Sequence, residues 1–465
     1  MNAQAETARE RDYQKGLYLA VWRWHFYAGV IFAPFLIFLS VTGAVYLFKP
    51  QWESFMYREL THVQEMKDEM AASEQIGKVS EAYPDAKIIS YRPSSAPGRT
   101  AEVEITRGGK AITVFVNPYS GKVIGELAND ETFMERMKNL HNGMLWGGVI
   151  ANRWVELTAC WGVILIITGV FLWWPREHKS LFGTLIPRFR KGRRILLRDL
   201  HAVTAFWLSL FIVIQLFSGL MWTDVWGSMA HRVVDATGTG EPVGDQPWEA
   251  YAFPKSTIPT KEVADVPWAA ENLPVPRSEA AGAAIISVEK VMQIAQDKQI
   301  HPGYKIAFPQ AETGVYTVYL DPAEVYPNRP APQTQQTLHI DQYSGKVLAD
   351  FGWKDYGFMG KLISLGIAFH QGEFGFLSQL FGLVICLGII GIAAGGLVMW
   401  WQRKPSGRLG APAIPKNMKR VKSVGVIVIA LGFFFPLVGL SIVVVALFDL
   451  LIVRRVPRVK RMLNA

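Results

Sequence analysis

The sequence predicts an α-helical integral membrane protein with four core transmembrane helices in two parallel repeats, one or two C-terminal helices, and two α+β modules outside the membrane. The chain of 465 residues is 50% hydrophobic and holds 16 Trp and 26 Phe, which is typical of a membrane protein. Its 48 basic residues gather beside apolar runs. The net charge of +9 therefore marks cytoplasmic loops and does not indicate nucleic acid as a partner; membrane lipid is the expected one.

Four apolar runs are long enough to cross about 30 Å of hydrocarbon. The first, 26–48, is too long for the core of a signal peptide and is predicted to stay as an anchor. The next three are 154–174, 201–222 and 374–401. A further apolar stretch, 424–453, has Pro436 near its middle and basic residues at both ends. It fits either one kinked helix or a short helical hairpin.

Basic residues set the predicted orientation. The loops 176–200 and 402–423 are dense in Lys and Arg, so both are expected on the cytoplasmic side, together with the N-terminus. The predicted division is, in order, the cytoplasmic N-terminus with the first transmembrane helix (1–48), the first outer module (49–153), the second transmembrane helix (154–175), the basic loop (176–200), the third helix (201–222), the second outer module with a Pro-rich insert (223–373), the fourth helix (374–401), a cytoplasmic loop (402–423), and the C-terminal helix or hairpin with its basic tail (424–465).

The two outer modules repeat each other. The first ends in VNPYSGKVIGEL and the second in HIDQYSGKVLADF, so Gly121 and Gly345 match. Each ending follows a predicted helix and predicted strands, at 74–83 and 101–106 in the first module and at 288–297 and 316–320 in the second. Each module is therefore predicted to be an α+β unit closed by a Gly-containing hairpin. Tandem units of one orientation imply a pseudo-two-fold axis along the membrane normal.

The second module alone contains a long insert, 236–282, with seven Pro residues. Its aromatic residues are Trp248, Tyr251, Phe253 and Trp268. A loop of this length is usually functional or disordered. Two interpretations stay open: the insert lines an outer substrate site, or it wraps the surface of the module.

Four histidines occupy matching places in the repeats. His25 lies 18 residues before Gly43, and His201 lies 18 before Gly219, which is five helical turns, so each His shares a face with its Gly. His141 and His370 precede the spans that end in GVFLWWPR and GGLVMWWQR. The axis pairs His25 with His201 near the cytoplasmic face, and His141 with His370 near the outer face.

Two such pairs are what two haems between membrane helices need. Iron with two axial imidazoles has no open position, which suits electron transfer. The two cysteines, Cys160 and Cys386, lie in apolar runs, and no C-x-x-C-H motif exists, so the haem is expected without thioether links. Arg23 and Arg198 stand beside the inner ligands as expected partners of the haem propionates.

The other histidines are weaker candidates. His231, which lies outside the third span, is a rival ligand. The remaining four fall in polar loops or strands and are expected to be solvated, namely His62, His178, His301 and His339, with His339 on a strand.

The order of the two YSGKV modules and the four His-led spans resembles the PepSY-associated transmembrane proteins, a family that includes inner-membrane ferric-siderophore reductases of the ferrioxamine type. The resemblance covers nearly the whole chain. It implies PepSY-like outer modules on a bacterial cytoplasmic (inner) membrane protein, two haem b groups, each bis-His, and a ferric siderophore as substrate. Such a ferric-chelate reductase would release the metal, because Fe(II) binds hard oxygen ligands more weakly than Fe(III). The expected electron donor is a quinol or a separate flavoprotein, since no dinucleotide-binding fingerprint follows a strand.

Two alternatives stay open. The first is a non-redox PepSY membrane scaffold that restrains a peptidase or senses the envelope. The second is a haem quinol oxidoreductase with another acceptor. Hydrolysis is disfavoured because neither a Ser-His-Asp arrangement nor H-E-x-x-H is present.

Overall fold

The computed structural model describes residues 2–175, 181–240, 255–279, 284–320, 330–412 and 422–464, which divide into two compact units. The membrane unit comprises Met1–Val45, Asn139–His231 and Phe381–Ala465. The sheet unit comprises Tyr46–Lys138 and Arg232–Leu380. His178 and the basic residues Arg176 and Lys179 of the predicted loop 176–200 lie outside the described residues.

The described α-helices are, in chain order, α1 (Asn2–Tyr46), α2 (Lys49–Met56), α3 (Arg58–Thr61), α4 (Ala72–Ala82), α5 (Phe133–Gly143), α6 (Gly148–Trp173), α7 (Arg193–Leu220), α8 (Val225–Thr237), α9 (Val288–Asp297), α10 (Phe358–Gln371), α11 (Phe376–Arg403), α12 (Lys422–Phe434), α13 (Pro436–Phe448) and α14 (Pro457–Leu463). The described strands are β1 (Lys87–Arg92), β2 (Ala101–Arg107), β3 (Lys110–Val116), β4 (Val123–Ala128), β5 (Lys255–Pro259), β6 (Pro274–Pro276), β7 (Lys305–Ala307), β8 (Val315–Leu320), β9 (Gln336–Asp341) and β10 (Val347–Gly352).

Five helical segments of the described chain are long and apolar enough to cross a membrane, so the protein is a multi-pass α-helical membrane protein. They are Gly16–Tyr46, Gly148–Trp173, Arg193–Leu220, Phe376–Arg403 and Pro436–Val453. The first span begins earlier than predicted, because Leu17, Leu19 and Val21 extend its apolar run. His25 therefore lies inside the first span and does not open it.

The membrane helices pack closely through small and aromatic residues. A β-carbon on Gly162 of α6 would lie 3.0 Å from Leu216 of α7 and 3.3 Å from Leu36 of α1, so the three helices meet there. The ring of Phe32 on α1 stacks on Trp161 of α6, with centroids 5.7 Å apart. Because lipid removes the hydrophobic driving force between membrane helices, their association depends on close packing. Glycine permits that close approach here.

The C-terminal stretch is a helical hairpin, one of the two arrangements that the sequence left open. Phe435 separates α12 from α13, and its backbone leaves the helical region with φ −120° and ψ 88°. A β-carbon on Gly432 would lie 3.1 Å from the Cα of Gly439, so the two helices fold back on each other. The chain then returns to the segment after α11, where the side-chain amide of Asn464 donates to the carbonyl of Ala411 at 3.0 Å.

The sheet unit contains one eight-stranded sheet in the order β10-β9-β8-β7-β1-β2-β3-β4. The repeated modules are therefore not separate: β1 pairs antiparallel with β7, with Ser90 opposite Ala307 and Tyr91 opposite Ile306. One face of the sheet packs against α4 and α9, whose Val79 and Val291 join the same core as the strands. Helix 288–297 was predicted to the residue, and the helix predicted at 74–83 is observed as α4.

The YSGK turns fold in the same way in both modules, as predicted. Gly121 and Gly345 both have positive φ, 68° and 72°, a conformation that glycine adopts without strain. Before each turn, an Asn or Asp side chain accepts hydrogen bonds from the backbone N–H groups two and three residues ahead: Asn117 in the first module and Asp341 in the second. Such Asx turns explain why these residue types recur at that spacing.

The described part of the Pro-rich insert, 255–279, covers the second face of the sheet in the second module. Its apolar side chains, such as Val266 and Leu273, share a core with Tyr319 and Phe351 of the sheet. The surface wrap is thus the arrangement observed for these residues. Trp248, Tyr251 and Phe253 of the insert lie outside the described residues, and a role of the insert in substrate binding stays a prediction.

This cover corrects the interpretation of His339. The prediction placed His339 on a strand, which β9 confirms, but expected a solvated side chain. The side chain is instead 0% exposed, because the insert covers the face of β9 on which it lies. Its Nδ1 lies 3.1 Å from the hydroxyl of Thr317, and its Nε2 has no hydrogen-bond partner among the described residues. Burial lowers the pKa of His339 to about 3, so this imidazole is neutral at physiological pH.

Candidate functional site

Two of the four predicted ligands face each other inside the membrane unit. The rings of His25 on α1 and His201 on α7 have centroids 6.4 Å apart and planes at 85° to each other. Both side chains are only partly covered by the protein. The pairing of His25 with His201 that the symmetry predicted is therefore present in the structure.

Helix α6 orients the ring of His25. Its Nδ1 lies 2.9 Å from the hydroxyl oxygen of Thr168. The next residue is Gly169, and a β-carbon there would lie 3.3 Å from Cε1 of the His25 ring. The absence of a side chain at Gly169 lets the ring rest directly on the helix backbone.

Helix α11 orients the ring of His201 with a different acceptor. Its Nδ1 lies 2.8 Å from the backbone carbonyl oxygen of Ile392. A β-carbon at Gly396, one turn further along α11, would lie 3.4 Å from Cε1 of the ring. Since a carbonyl can only accept, the His201 Nδ1 carries the hydrogen and the Nε2 keeps its lone pair.

His141 of the outer pair has a cradle like that of His25. It lies near the end of α5, and its Nδ1 is 3.0 Å from the hydroxyl oxygen of Thr42 on α1. A β-carbon on the adjacent Gly43 would lie 3.3 Å from Cε1 of the ring. His370 lies at the end of α10 in the sheet unit. Because His141 and His370 belong to different units, their pairing stays a prediction.

The inner pair could hold a metal ion between its two rings. A metal–nitrogen bond of about 2.0 Å, with about 1.1 Å from the nitrogen to the ring centre, places the centroids of two axial imidazoles about 6 Å apart. The observed 6.4 Å fits this arrangement. Among the described residues, no three His, Cys, Asp or Glu side chains form a metal site, so two axial ligands without further protein donors are what this place offers.

The two arginines beside the inner ligands have protein partners. Arg23 donates to the carbonyl oxygens of Pro412 and Asn464 at 2.6 and 3.1 Å, so it ties the C-terminal tail to α1. Arg198 donates to the carboxylate of Asp199 at 3.0 Å, with its side chain 59% exposed. Asp199 is 1% exposed and also accepts from Arg188. Their predicted contact with propionates stays a prediction.

The remaining histidine candidates have other surroundings. The Nε2 of His231 on α8 is 3.3 Å from the backbone carbonyl oxygen of Met221. His62 and His301 are exposed in the sheet unit, in agreement with the expected solvated state.

Sequence reasoning missed the residues that orient the rings. Gly43 was singled out by its spacing from His25, yet it lies against His141, and Gly169, the first residue of GVFLWWPR, lies against His25. Thr42 and Thr168 were not considered. The available signal was the Thr-Gly dipeptide, which occurs in VTGAVYL and ITGVFLW, once in each span of the first repeat.

These features define a multi-pass α-helical membrane protein with an α+β unit and a pair of facing histidines on its membrane helices. The chain belongs to the family whose model is described as the PepSY-associated TM region, which matches residues 22–403. No curated protein matches the chain.

Proposed function

We propose that this protein is a haem-containing transmembrane electron-transfer protein that reduces ferric siderophore iron on the outer side of the cytoplasmic membrane. Two haem b groups would be held, one by His25 and His201 and the other by His141 and His370. Haem iron with two axial imidazoles supplies one-electron transfer, because no position is open for oxygen.

The inner histidine pair is the observation that carries the proposal. Its rings stand at the separation that two axial ligands of one iron require, on two different membrane helices. A third and a fourth helix hold their Nδ1 atoms, at 2.9 Å from Thr168 and 2.8 Å from Ile392. The other ring nitrogen, Nε2, is then the atom that would bind the iron. Two imidazoles fixed in this way are preorganised as ligands, since metal-bound histidine normally donates its other N–H to a nearby acceptor.

The charge distribution supports the proposed direction of electron flow. Basic residues stand where α7 begins and α11 ends, including Arg193, Arg194, Arg403 and Lys404, and the positive-inside rule assigns these ends to the cytoplasm. In this orientation His25 and His201 lie toward the cytoplasmic side and the sheet unit lies outside. A quinol or a separate flavoprotein would donate on the inner side, and each electron delivered outside reduces one siderophore-bound Fe(III) to Fe(II).

The sheet supports the proposed duplication. Its strand order reads outward from the β1–β7 junction as the same succession in both directions, which is what two modules related by a two-fold axis produce. The membrane helices would likewise form two parallel repeats related by a two-fold axis. Arg23 and Arg198 remain the proposed partners of the inner haem propionates.

The experiment is an optical spectrum with haem quantification on the purified full chain, followed by a reoxidation assay. We expect a Soret band, split α/β bands after dithionite reduction, and two haems per chain. Anaerobic addition of a ferric siderophore should reoxidise the protein, whereas the redox-inert gallium complex of the same siderophore should not.

Each failure has its own meaning. A correctly inserted preparation without haem, made with ample haem supply, contradicts the proposal and favours the PepSY scaffold. A haem-loaded preparation that no ferric siderophore reoxidises contradicts the acceptor and favours a quinol oxidoreductase with another acceptor.

A further inference from the structure

We infer that Thr168 and Thr42 are positioning residues that hold His25 and His141 in one tautomer, with hydrogen on Nδ1 and a lone pair on Nε2. As far as it concerns haem ligands, the inference rests on the proposed function. The tautomer itself is a property of this chain alone.

The other hydrogen bonds of Thr168 indicate whether its hydroxyl or the Nδ1 of His25 is the donor in their contact. Its hydroxyl oxygen lies 2.7 Å from the carbonyl oxygen of Ile164 and 3.2 Å from that of Leu165, one turn earlier on α6. A carbonyl can only accept, so the single hydroxyl hydrogen points to the helix backbone. The lone pairs of the hydroxyl then face His25, 2.9 Å away. The Nδ1 of His25 is then the donor, in agreement with its hydrogen bond to the backbone carbonyl of Leu165.

Thr42 repeats this arrangement at the other ligand. Its hydroxyl donates into the carbonyl oxygens of Phe38 and Leu39, each at 3.1 Å, and accepts from Nδ1 of His141 at 3.0 Å. In both places the adjacent glycine lies against Cε1 of the same ring. A Thr-Gly pair on one helix is thus a unit that fixes both the hydrogen position and the placement of a histidine on another helix.

The second repeat reaches the same tautomer without a hydroxyl. Gly395 precedes Gly396 where Thr168 precedes Gly169, and the backbone carbonyl of Ile392 accepts directly from Nδ1 of His201. His25 also has a backbone acceptor, the carbonyl of Leu165, four residues before Gly169 as Ile392 is before Gly396. Thr168 therefore adds a side-chain acceptor that the second repeat lacks, and substitution can remove it.

The test is made on the full chain produced without haem, with nitrogen-15 in its histidine rings. The nitrogen chemical shifts should report His25 with hydrogen on Nδ1. Thr168→Val cannot accept this hydrogen bond and leaves the Leu165 carbonyl as the acceptor, so the fraction of His25 with hydrogen on Nε2 should rise, and Thr168→Ser should restore the original fraction. Thr158→Val is the matched control, because Thr158 is buried on the same helix and donates only to Trp154 among the described residues.

A second readout uses haem-loaded protein. Loss of the hydrogen-bond partner of a metal ligand typically weakens metal binding by about 10- to 100-fold. The affinity of the inner site for haem should therefore fall by about this factor in Thr168→Val and stay unchanged in Thr158→Val. If Thr168→Val does not fold, Thr42→Val makes the same test at His141.

An unchanged His25 tautomer in folded Thr168→Val, or the same change in Thr158→Val, would overturn the inference. Because the tautomer is measured in haem-free protein, this failure is distinct from a failure to bind haem.

Discussion

Two histidines in different units of this protein meet a threonine hydroxyl through the same ring nitrogen, yet they occupy opposite kinds of surroundings. His25 in the membrane unit lies 2.9 Å from Thr168, and His339 in the sheet unit lies 3.1 Å from Thr317. The ring of His25 rests on Gly169 and faces a second imidazole. The ring of His339 is fully buried beside Phe351, and its Nε2 has no partner in the described chain.

The difference shows that a buried histidine held by threonine does not by itself indicate a ligand. What distinguishes His25 is the opposed ring of His201 and the glycine that brings each ring against a helix. His339 has an apolar core around it and behaves as a structural residue whose neutral form is required. The two sites therefore predict different consequences for matched substitutions.

The largest effect is expected at Gly169. In Gly169→Val, the new side chain would begin 3.3 Å from Cε1 of His25, and its methyl groups would displace the ring. We expect at least a tenfold loss of haem from the inner site, in line with the effect of disturbing ligand orientation. Haem per chain and the optical spectrum measure it.

The matched control is Gly391→Val on α11, since a β-carbon at Gly391 has no atom within 4 Å. Its haem content should equal that of the unsubstituted chain. Equal haem content in Gly169→Val and Gly391→Val would show that Gly169 does not position the ring of His25.

The next effect concerns acid stability and should belong to His339. Because folding lowers its pKa from 6.5 to about 3, the folded state binds this proton less readily than the unfolded state. The stability that His339 contributes is present above pH 6.5 and is lost as the pH falls toward 3. Between pH 7 and pH 5 the sheet unit should lose about 2 kcal/mol through this one group.

Urea unfolding of the sheet unit, followed by tryptophan fluorescence, measures this loss at the two pH values. His339→Leu should remove it, whereas His301→Leu, at an exposed position, should keep it. The same acid sensitivity in both variants would show that His339 is not the group that titrates.

The last comparison is between the two threonines. Thr317→Val leaves the buried Nδ1 of His339 without its partner, which should cost about 1–3 kcal/mol of unfolding free energy and leave the haem content unchanged. Thr168→Val should instead change the haem site. If Thr317→Val also lowered the haem content, the distinction between a structural and a ligand histidine would not hold.

The sequence predicted those parts of the fold that depend on local pattern. The apolar runs gave the four core spans, and the Asx and Gly positions gave both YSGK turns. The junction of the modules could not be predicted in this way, because β7 is only Lys305–Ala307 and three residues show no periodicity. The burial of His339 also escaped prediction, since it depends on an insert that is distant in sequence and covers the second face of the sheet.

For the candidate site, symmetry placed His25 opposite His201 without any structural information. Gly43 was found by its spacing from His25, but the contacts that Gly43, Gly169 and Gly396 make with histidine rings of other helices were not predicted. A contact between two helices produces no periodic pattern in the sequence of either helix, so the sequence does not predict it. The hydroxyls of Thr42 and Thr168 were overlooked because a threonine in a membrane helix usually bonds only to its own backbone.

The most direct test of the central claim is the haem content of His25→Ala and His201→Ala, measured separately and together with their optical spectra. Each substitution should remove one of two haems and the same spectral component, and the double variant should lose no more than either single one. Loss of different components, or retention of both haems in either variant, would contradict the claim that these two imidazoles hold one iron.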